Sequence, residues 1–330
     1  MQVFFYLCIL FFLPGILTTK SCGSYGGLNN MIRGIRTDLA VEARQLWREG
    51  AEETTALSGV RAEEQDRDGF HVTVVEILDA QGEAALGKPA GRYVTVELDA
   101  LIRREENAFT DAASLLAEEF RKFAAPDERQ TYLVVGLGNR GITPDAIGPE
   151  TVDHVLVTRH LKERLPEEFA SFRPVSAVCS GVLGTTGIES SDLVRAVVEE
   201  VKPSAVFAVD ALASRSTDRL CRTVQIADTG IVPGSGVGNA RQALNRENLG
   251  VPVIAIGVPT VVDAATLTLD LASRAGAELD PQGFGAVGGM IVTPRDIDRN
   301  VRDIAKLFGY SLNLAFHDGL SIADVDMLLS

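Results

Sequence analysis

Two aspartates follow apolar runs of the chain at positions where a carboxyl group could react. Asp210 comes directly after Ala205–Val209, and Asp145 lies in a turn-rich segment beyond Thr131–Val135. In open α/β sheets, catalytic groups gather where strands end and loops leave the sheet. Two carboxyl groups at short range do not easily both ionise, so one can stay protonated while the other acts as a base on water; alternatively, both bind a divalent cation. A third interpretation is that each aspartate only caps a neighbouring loop.

The elements that would position these acids alternate between strands and helices. The pattern begins after Pro126 and predicts an α/β fold with an open, doubly wound, mostly parallel sheet. After Thr131–Val135, the predicted strands are Val175–Cys179, Ala205–Val209, Val224–Ala227 and Val251–Gly257. The predicted helices between them are Asp192–Val201, Ala240–Leu249 and Ala264–Ala275, and a helix-rich segment covers Thr293–Ser330.

The chain before Pro126 predicts an additional segment that contains β-structure. His71–Leu78 and Tyr93–Ala100 are rich in β-branched residues and form a predicted strand pair. Arg36–Trp47 has the spacing of a short helix for which Asp38 could be the cap. Arg61–Gly69 is dense in charge and is interpreted as a solvated linker.

Composition excludes several classes of function. Lys and Arg total 31 against 45 Asp and Glu, so the net charge of −14 argues against direct binding of nucleic acid, which requires a basic face.

Serine and cysteine hydrolase mechanisms are disfavoured because no serine lies in a GxSxG elbow and Cys221 has no evident base. Cys179, inside an apolar run, is expected to be inert core. The four cysteines form no CxxC pair and the four histidines show no metal-ligand spacing; they are Cys8, Cys22, Cys179, Cys221, His71, His154, His160 and His317.

An apolar run, Val3–Leu17, stands apart from the rest of the chain. It is shorter than the ~20 residues that span a bilayer, and Pro14-Gly15 interrupts it, so no membrane anchor is expected. Its first basic residue, Lys20, follows the run, whereas a secretory signal has a positive region before it. We therefore expect translation to begin at Met31, with 1–30 an extension outside the fold and 31–330 a single α/β domain.

Glycine-rich loops follow several of the predicted strands. Gly136–Gly141 matches GxGxxG, but Thr143-Pro144 and Gly148-Pro149 interrupt the helix that a dinucleotide loop requires, so a nucleotide cofactor is not expected. Three further loops could line an extended substrate or form tight turns; they are Gly181–Gly187, Asp228–Gly236 and Gly257–Thr260.

As a set, six segments resemble the spore germination proteases of endospore-forming bacteria. The resemblance runs in order from about Arg36 to the C-terminus. It rests on Arg36–Ala43 (RTDLAVEA), Gly136–Asn139 (GLGN), Thr143–Pro149 (TPDAIGP), Phe207–Arg215 (FAVDALASR), Asp228–Arg241 (DTGIVPGSGVGNAR) and Gly257–Ala264 (GVPTVVDA).

This resemblance implies an aspartic-type endopeptidase that degrades small acid-soluble spore proteins. It assigns the two essential aspartates to Asp145 and Asp210, on an α/β fold shared with the hydrogenase maturation endopeptidases. Candidate substrate-binding residues in the matching motifs are Gly138, Asn139, Arg215 and Gly236. The resemblance further implies a homotetramer in the cytoplasm of the forespore or spore core, and a zymogen whose short propeptide precedes the RTDLA motif.

The related hydrogenase maturation enzymes bind metal through two acids and a histidine. This chain has no histidine in a matching motif, so no cofactor is assigned, although a divalent metal is left open. Two alternatives to a germination protease therefore stand: a metal-dependent maturation peptidase of related fold, and a binding scaffold without catalysis.

Overall fold

The fold is described from a computed structural model of the 330-residue chain. The structure describes residues 35–50, 57–123, 130–235, 238, 240–277, 279 and 289–330. The apolar run Val3–Leu17 and the expected start at Met31 lie outside these ranges, so both remain predictions.

One mixed sheet runs through the described part of the chain. Its strand order is β1-β2-β3-β7-β8-β6-β4-β5, and β9 pairs with β8. The strands are β1 (Val60–Arg67), β2 (Phe70–Ile77), β3 (Gly91–Glu97), β4 (Tyr132–Leu137), β5 (Val175–Gly181), β6 (Ala205–Ala213), β7 (Thr223–Ala227), β8 (Val253–Asp263) and β9 (Ile291–Val292).

Helices cover both faces of this sheet, which confirms the predicted α/β fold. They are α1 (Ala40–Gly50), α2 (Ala80–Leu86), α3 (Asp99–Ile102), α4 (Ala108–Phe123), α5 (Ile147–Val152), α6 (Arg159–Arg164), α7 (Leu183–Thr186), α8 (Ser190–Val201), α9 (Arg246–Leu249), α10 (Ala264–Arg274), α11 (Ile297–Phe316) and α12 (Ile322–Leu329). Successive side chains of β6 enter different cores because strand side chains alternate between faces. Phe207 and Val209 belong to the core beneath α4 and α11, whereas Val206 and Ala208 pack with α8.

The parallel part of the sheet consists of β5, β4, β6 and β8. The N-terminal strands extend it as an antiparallel ladder through β7. The sequence placed Val224–Ala227 in the parallel series, and this orientation is wrong. Only the short segment 214–222 joins β6 to β7, and a parallel return requires a crossover of a dozen or more residues.

Two further local predictions are corrected. The charged segment Arg61–Gly69 is mostly strand β1, because an edge strand with little core contact can carry charge on its exposed positions. The predicted helix Ala240–Leu249 is helical only over α9. The side chain of Asn245 caps this helix by accepting from Asn248 N–H, and Leu244 bridges to Ile231 in extended form.

The C-terminal segment is helix-rich as expected, with α11 beginning at Ile297 and α12 following it. None of the helices in the described ranges has the length and apolar character needed to cross a membrane.

Candidate active site

Asp210 is a buried carboxyl group inside strand β6. Its side chain is 5% exposed, and its Oδ1 accepts a 2.9 Å hydrogen bond from the Ala211 N–H. The strand pairs Asp210 with Gly257 of β8 and continues to Ala213. The aspartate is therefore held by the sheet itself rather than by the loop that the sequence placed directly after Val209.

Asp145 approaches from the loop that leaves the neighbouring strand β4. It ends a 3-10 turn, Thr143–Asp145, and its N–H donates to the Ile142 carbonyl at 2.8 Å. The Oδ2 of Asp145 accepts a 2.8 Å hydrogen bond from the Asn139 N–H. The GLGN motif thus holds the carboxyl group through a backbone donor, which orients it without neutralising it.

Gly138 is required by this loop because its backbone has φ of +105°. A Cβ at this position would lie 2.1 Å from the Asp145 carbonyl oxygen and 3.0 Å from its Oδ1. Gly148 brings α5 against the sheet, since a Cβ there would lie 2.5 Å from the Val209 carbonyl oxygen. The expectation that Gly148-Pro149 prevents a helix is wrong: α5 begins at Ile147, and Pro149 lies in its first turn, where a missing N–H is tolerated.

Both aspartates line one cavity of about 460 Å³ at the carboxyl ends of the parallel strands. Glycine-rich loops form much of its wall, as the sequence suggested. Its lining includes Gly138, Asn139, Val182, Leu183, Gly184, Ile231, Val232, Pro233, Gly234, Ser235, Arg241 and Thr260.

A third acid, Asp38, also lines this cavity, and the sequence did not identify it as a site residue. Its Oδ2 accepts from the Ala213 N–H at 2.9 Å, and its Oδ1 accepts from the Ser235 hydroxyl at 2.7 Å. Asp38 was expected to cap α1. Its carboxylate instead joins the N-terminal segment to β6 and to Ser235 in the loop after β7. The one available signal was its place in the RTDLA motif.

The environments of the two central acids raise their pKa values unequally. Burial raises the pKa of Asp210 well above its usual range. The nearby charge of Asp145 raises it further, the Ala211 N–H opposes this rise, and Asp38 adds a smaller upward effect. Burial raises the pKa of Asp145 to about 6, against the lowering effect of the Asn139 N–H. Asp145 thus loses its proton first, and at neutral pH the pair can hold one carboxylate and one carboxylic acid.

The structure brings together some of the predicted substrate-binding residues but not all. Gly138 and Asn139 lie beside Asp145 in the cavity wall. The Arg215 side chain lies outside this cavity, because the chain turns away after Ala213. Its guanidinium pairs with Asp270 at 2.7 Å and with Glu49 at 2.8 Å. Gly236 lies outside the described residues.

The donor set of the cavity differs from the two acids and histidine of the hydrogenase maturation enzymes. His71, His154, His160 and His317 are all absent from its lining. Across the described ranges, no three His, Cys, Asp or Glu side chains form a group that could hold a metal ion. The described residues of the cavity therefore do not fit such a centre.

Comparison with known proteins identifies close relatives. A family model described as germination protease matches residues 40–273. The germination protease of Caldanaerobacter subterraneus subsp. tengcongensis is 42% identical over 326 residues, covering 91% of this chain and 99% of that protein. The germination protease of Bacillus cytotoxicus is 39% identical over 344 residues, covering 86% and 94%.

Among solved structures, a NiFe hydrogenase maturation protease, HycI from Thermococcus kodakarensis, matches 59% of this chain and 98% of its own. Its sequence identity is 18% and its TM-score 0.33.

Proposed function

This chain belongs to the germination protease family, and we propose that it is an endopeptidase that begins the degradation of small acid-soluble spore proteins during spore germination. Family membership makes the protein a peptidase. The proposed substrate rests on the name of the relatives and on the motif resemblance. The observation that carries the catalytic part is the shared cavity of Asp145 and Asp210, whose pKa values lie apart.

In the proposed reaction the two acids divide the work of peptide hydrolysis. Ionised Asp145 takes a proton from a water molecule, which attacks the carbonyl carbon of the scissile peptide bond. Protonated Asp210 hydrogen-bonds the carbonyl oxygen and transfers its proton to that oxygen as the water attacks, which gives a neutral gem-diol. Asp145 then gives the proton that it took from water to the leaving nitrogen, while Asp210 takes back a proton from a hydroxyl of the gem-diol. The C–N bond breaks, a new carboxyl and a new amino terminus are released, and both acids return to their starting protonation states.

The local hydrogen bonds fit this division. The Asn139 N–H favours the charged form of Asp145, while burial of Asp210 favours its neutral form. Gly138 and Asn139 are proposed to contact substrate backbone, with the glycine-rich loops opposite them. Arg215 is not included, because its guanidinium is already engaged by Asp270 and Glu49.

We further propose, from the family alone, that the protein acts as a homotetramer in the spore interior. Its net charge of −14 is consistent with a protease that does not itself hold DNA while attacking proteins that do.

Incubation of the purified protein with a small acid-soluble spore protein tests the function. Mass spectrometry should detect a few discrete fragments, and a folded globular protein of similar size should remain intact. No cleavage, or equal cleavage of both proteins, would contradict the proposal. Loss of activity after chelation and recovery with a named cation would favour the metal-dependent alternative.

A further inference from the structure

The two edges of the main sheet differ in chemistry. The edge strand β1 has the sequence VRAEEQDR, in which five of eight residues are charged. The opposite edge strand, β5, has the sequence VSAVCSG, with no charged residue and no proline. Charge and proline on an edge strand prevent other chains from pairing with it. One edge is therefore protected against strand addition and the other is open.

The hydrogen-bond register defines which groups of β5 are available. Tyr132 N–H donates to the Pro174 carbonyl, so alternate residues from Ser176 onward point their backbone groups towards β4. Val175, at the start of the strand, points the other way and exchanges hydrogen bonds with Thr158. Because strand backbone groups alternate, the N–H and C=O groups of the next outward residues also face away from β4.

Those outward residues are Ala177 and Cys179. Within the described ranges, nothing pairs with their backbone groups on the side away from β4. Ala177 is half-buried and Cys179 is exposed, which corrects the expectation that Cys179 is inert core. The edge thus offers two donors and two acceptors, spaced to match an extended peptide.

This open edge leads directly to the candidate active site. β5 ends at Gly181, and the residues that follow, Val182 to Gly184, line the cavity that contains Asp145 and Asp210. A strand added beside β5 would lie three strand spacings, about 14 Å, from β6, a distance that about four extended residues cross. A peptide bound along the edge can therefore continue over the cavity wall to the two acids.

We propose that the outer edge of β5 binds an extended, unfolded segment of the protein substrate as an added strand. The bound segment lies several residues away in the substrate from the peptide bond that is cleaved. This inference rests on the proposed peptidase function and assigns a binding surface to it. Hydrogen bonds from the backbone of Ala177 and Cys179 supply the affinity for the substrate. They can form with any substrate sequence that adopts an extended conformation. The edge therefore selects unfolded protein, because a folded chain cannot present four or more consecutive residues of free backbone.

The substitution Ala177→Pro tests this surface with little disturbance of the sheet. Proline removes the outward N–H of residue 177, and proline is tolerated on an edge strand whose N–H faces solvent. For a peptide substrate of about 16 residues around the cleaved bond, KM should rise roughly five-fold while kcat stays within about two-fold. The matched control Ala62→Pro removes an outward N–H from the opposite edge strand, β1, and should leave KM unchanged.

If Ala177→Pro does not fold, substrate peptides with single N-methyl groups decide the question on the wild-type protein. KM should then rise at alternate residues, beginning about four positions from the cleaved bond, and stay unchanged at the residues between. An unchanged KM for a folded Ala177→Pro, or a flat N-methyl scan, would overturn the inference while leaving the peptidase function intact. If Ala177→Pro changes the oligomeric state but not KM, the edge is a contact between copies of the chain, and the inference is overturned as well. A wild-type protein that cleaves nothing would overturn the proposed function, and this inference with it.

Discussion

Asp38 and Ala213 exchange two hydrogen bonds across 175 residues of sequence. The N–H of Asp38 donates to the Ala213 carbonyl, and the N–H of Ala213 donates to Asp38 Oδ2, both at 2.9 Å. This pairing attaches the segment before α1 to the strand that carries Asp210. It also places a negative charge near the buried acid, and that charge contributes to the raised pKa of Asp210.

We expect Asp38→Asn to change the pH dependence of cleavage. Removing the charge lowers the pKa of Asp210, so the loss of activity at high pH should begin at a lower pH than in wild type. Asp38→Ala should show the same displacement and should also lose about 1–3 kcal/mol of stability, because the Ala213 N–H loses its partner. pH–rate profiles and thermal melts separate the two effects. Identical profiles for wild type and Asp38→Asn would show that Asp38 has only a structural role.

The wild-type pH–rate profile should be bell-shaped. Activity should rise with pH through about 6 as Asp145 ionises, since its charged form is the base. Activity should fall at higher pH as Asp210 loses its proton, because burial and the Asp145 charge hold its pKa above that of Asp145. Initial rates of cleavage between pH 4 and pH 10 measure this. A rate that keeps falling from pH 4 upward would contradict the assignment of Asp145 as base.

Gly138→Ala should reduce activity strongly. The new Cβ would lie 2.1 Å from the Asp145 carbonyl oxygen, on a backbone with φ of +105°, so the loop that holds Asp145 must shift. A shift of this kind costs about 10²-fold in kcat. Gly184→Ala is the matched control: it lies in the same cavity wall with nothing within 4 Å of the new Cβ, and kcat should stay within about two-fold of wild type. Equal kcat for both variants would show that Asp145 need not be held in this position.

Arg215→Ala should reduce stability rather than substrate binding. The guanidinium is buried with Asp270, and losing its hydrogen bonds should cost about 2–3 kcal/mol, since Arg274 still pairs with the remaining carboxylate. The more exposed Arg274 pairs with the same Asp270, so Arg274→Ala should cost only about 0–1 kcal/mol. Urea unfolding and KM should be measured on both variants. A raised KM with unchanged stability in Arg215→Ala would return this residue to the substrate site.

The sequence predicts much of the parallel core because buried strands leave long apolar runs. It also singles out Asp145 and Asp210 as candidates, because Asp210 directly follows such a run and Asp145 lies in the loop beyond one, and the structure places both in one cavity. It does not reveal β1, whose exposed edge position needs no hydrophobic pattern. Nor does it show that β6 continues to Ala213, which leaves a connection to β7 too short for a parallel return.

Prediction of the site from the sequence is limited mainly by contacts between residues that are far apart in the chain. Asp38 has local features of a helix cap, and its true partner, Ala213, lies outside any local window. Arg215 stands five residues after Asp210 in one motif, yet its side chain leaves the cavity to reach Asp270. Two residues of one motif lie near the same site only while the strand that carries them continues. Because β6 ends at Ala213, Arg215 no longer follows the direction of Asp210.

Cleavage of a small acid-soluble spore protein by Asp145→Asn and Asp210→Asn tests the account most directly. Each substitution keeps the shape of the side chain and removes its acid chemistry. Both variants should lose about 10³-fold or more in kcat. Both should also melt at or above the wild-type temperature at neutral pH, because a buried group that resists ionisation has been replaced by a neutral one. Undiminished cleavage by either folded variant would contradict the catalytic pair.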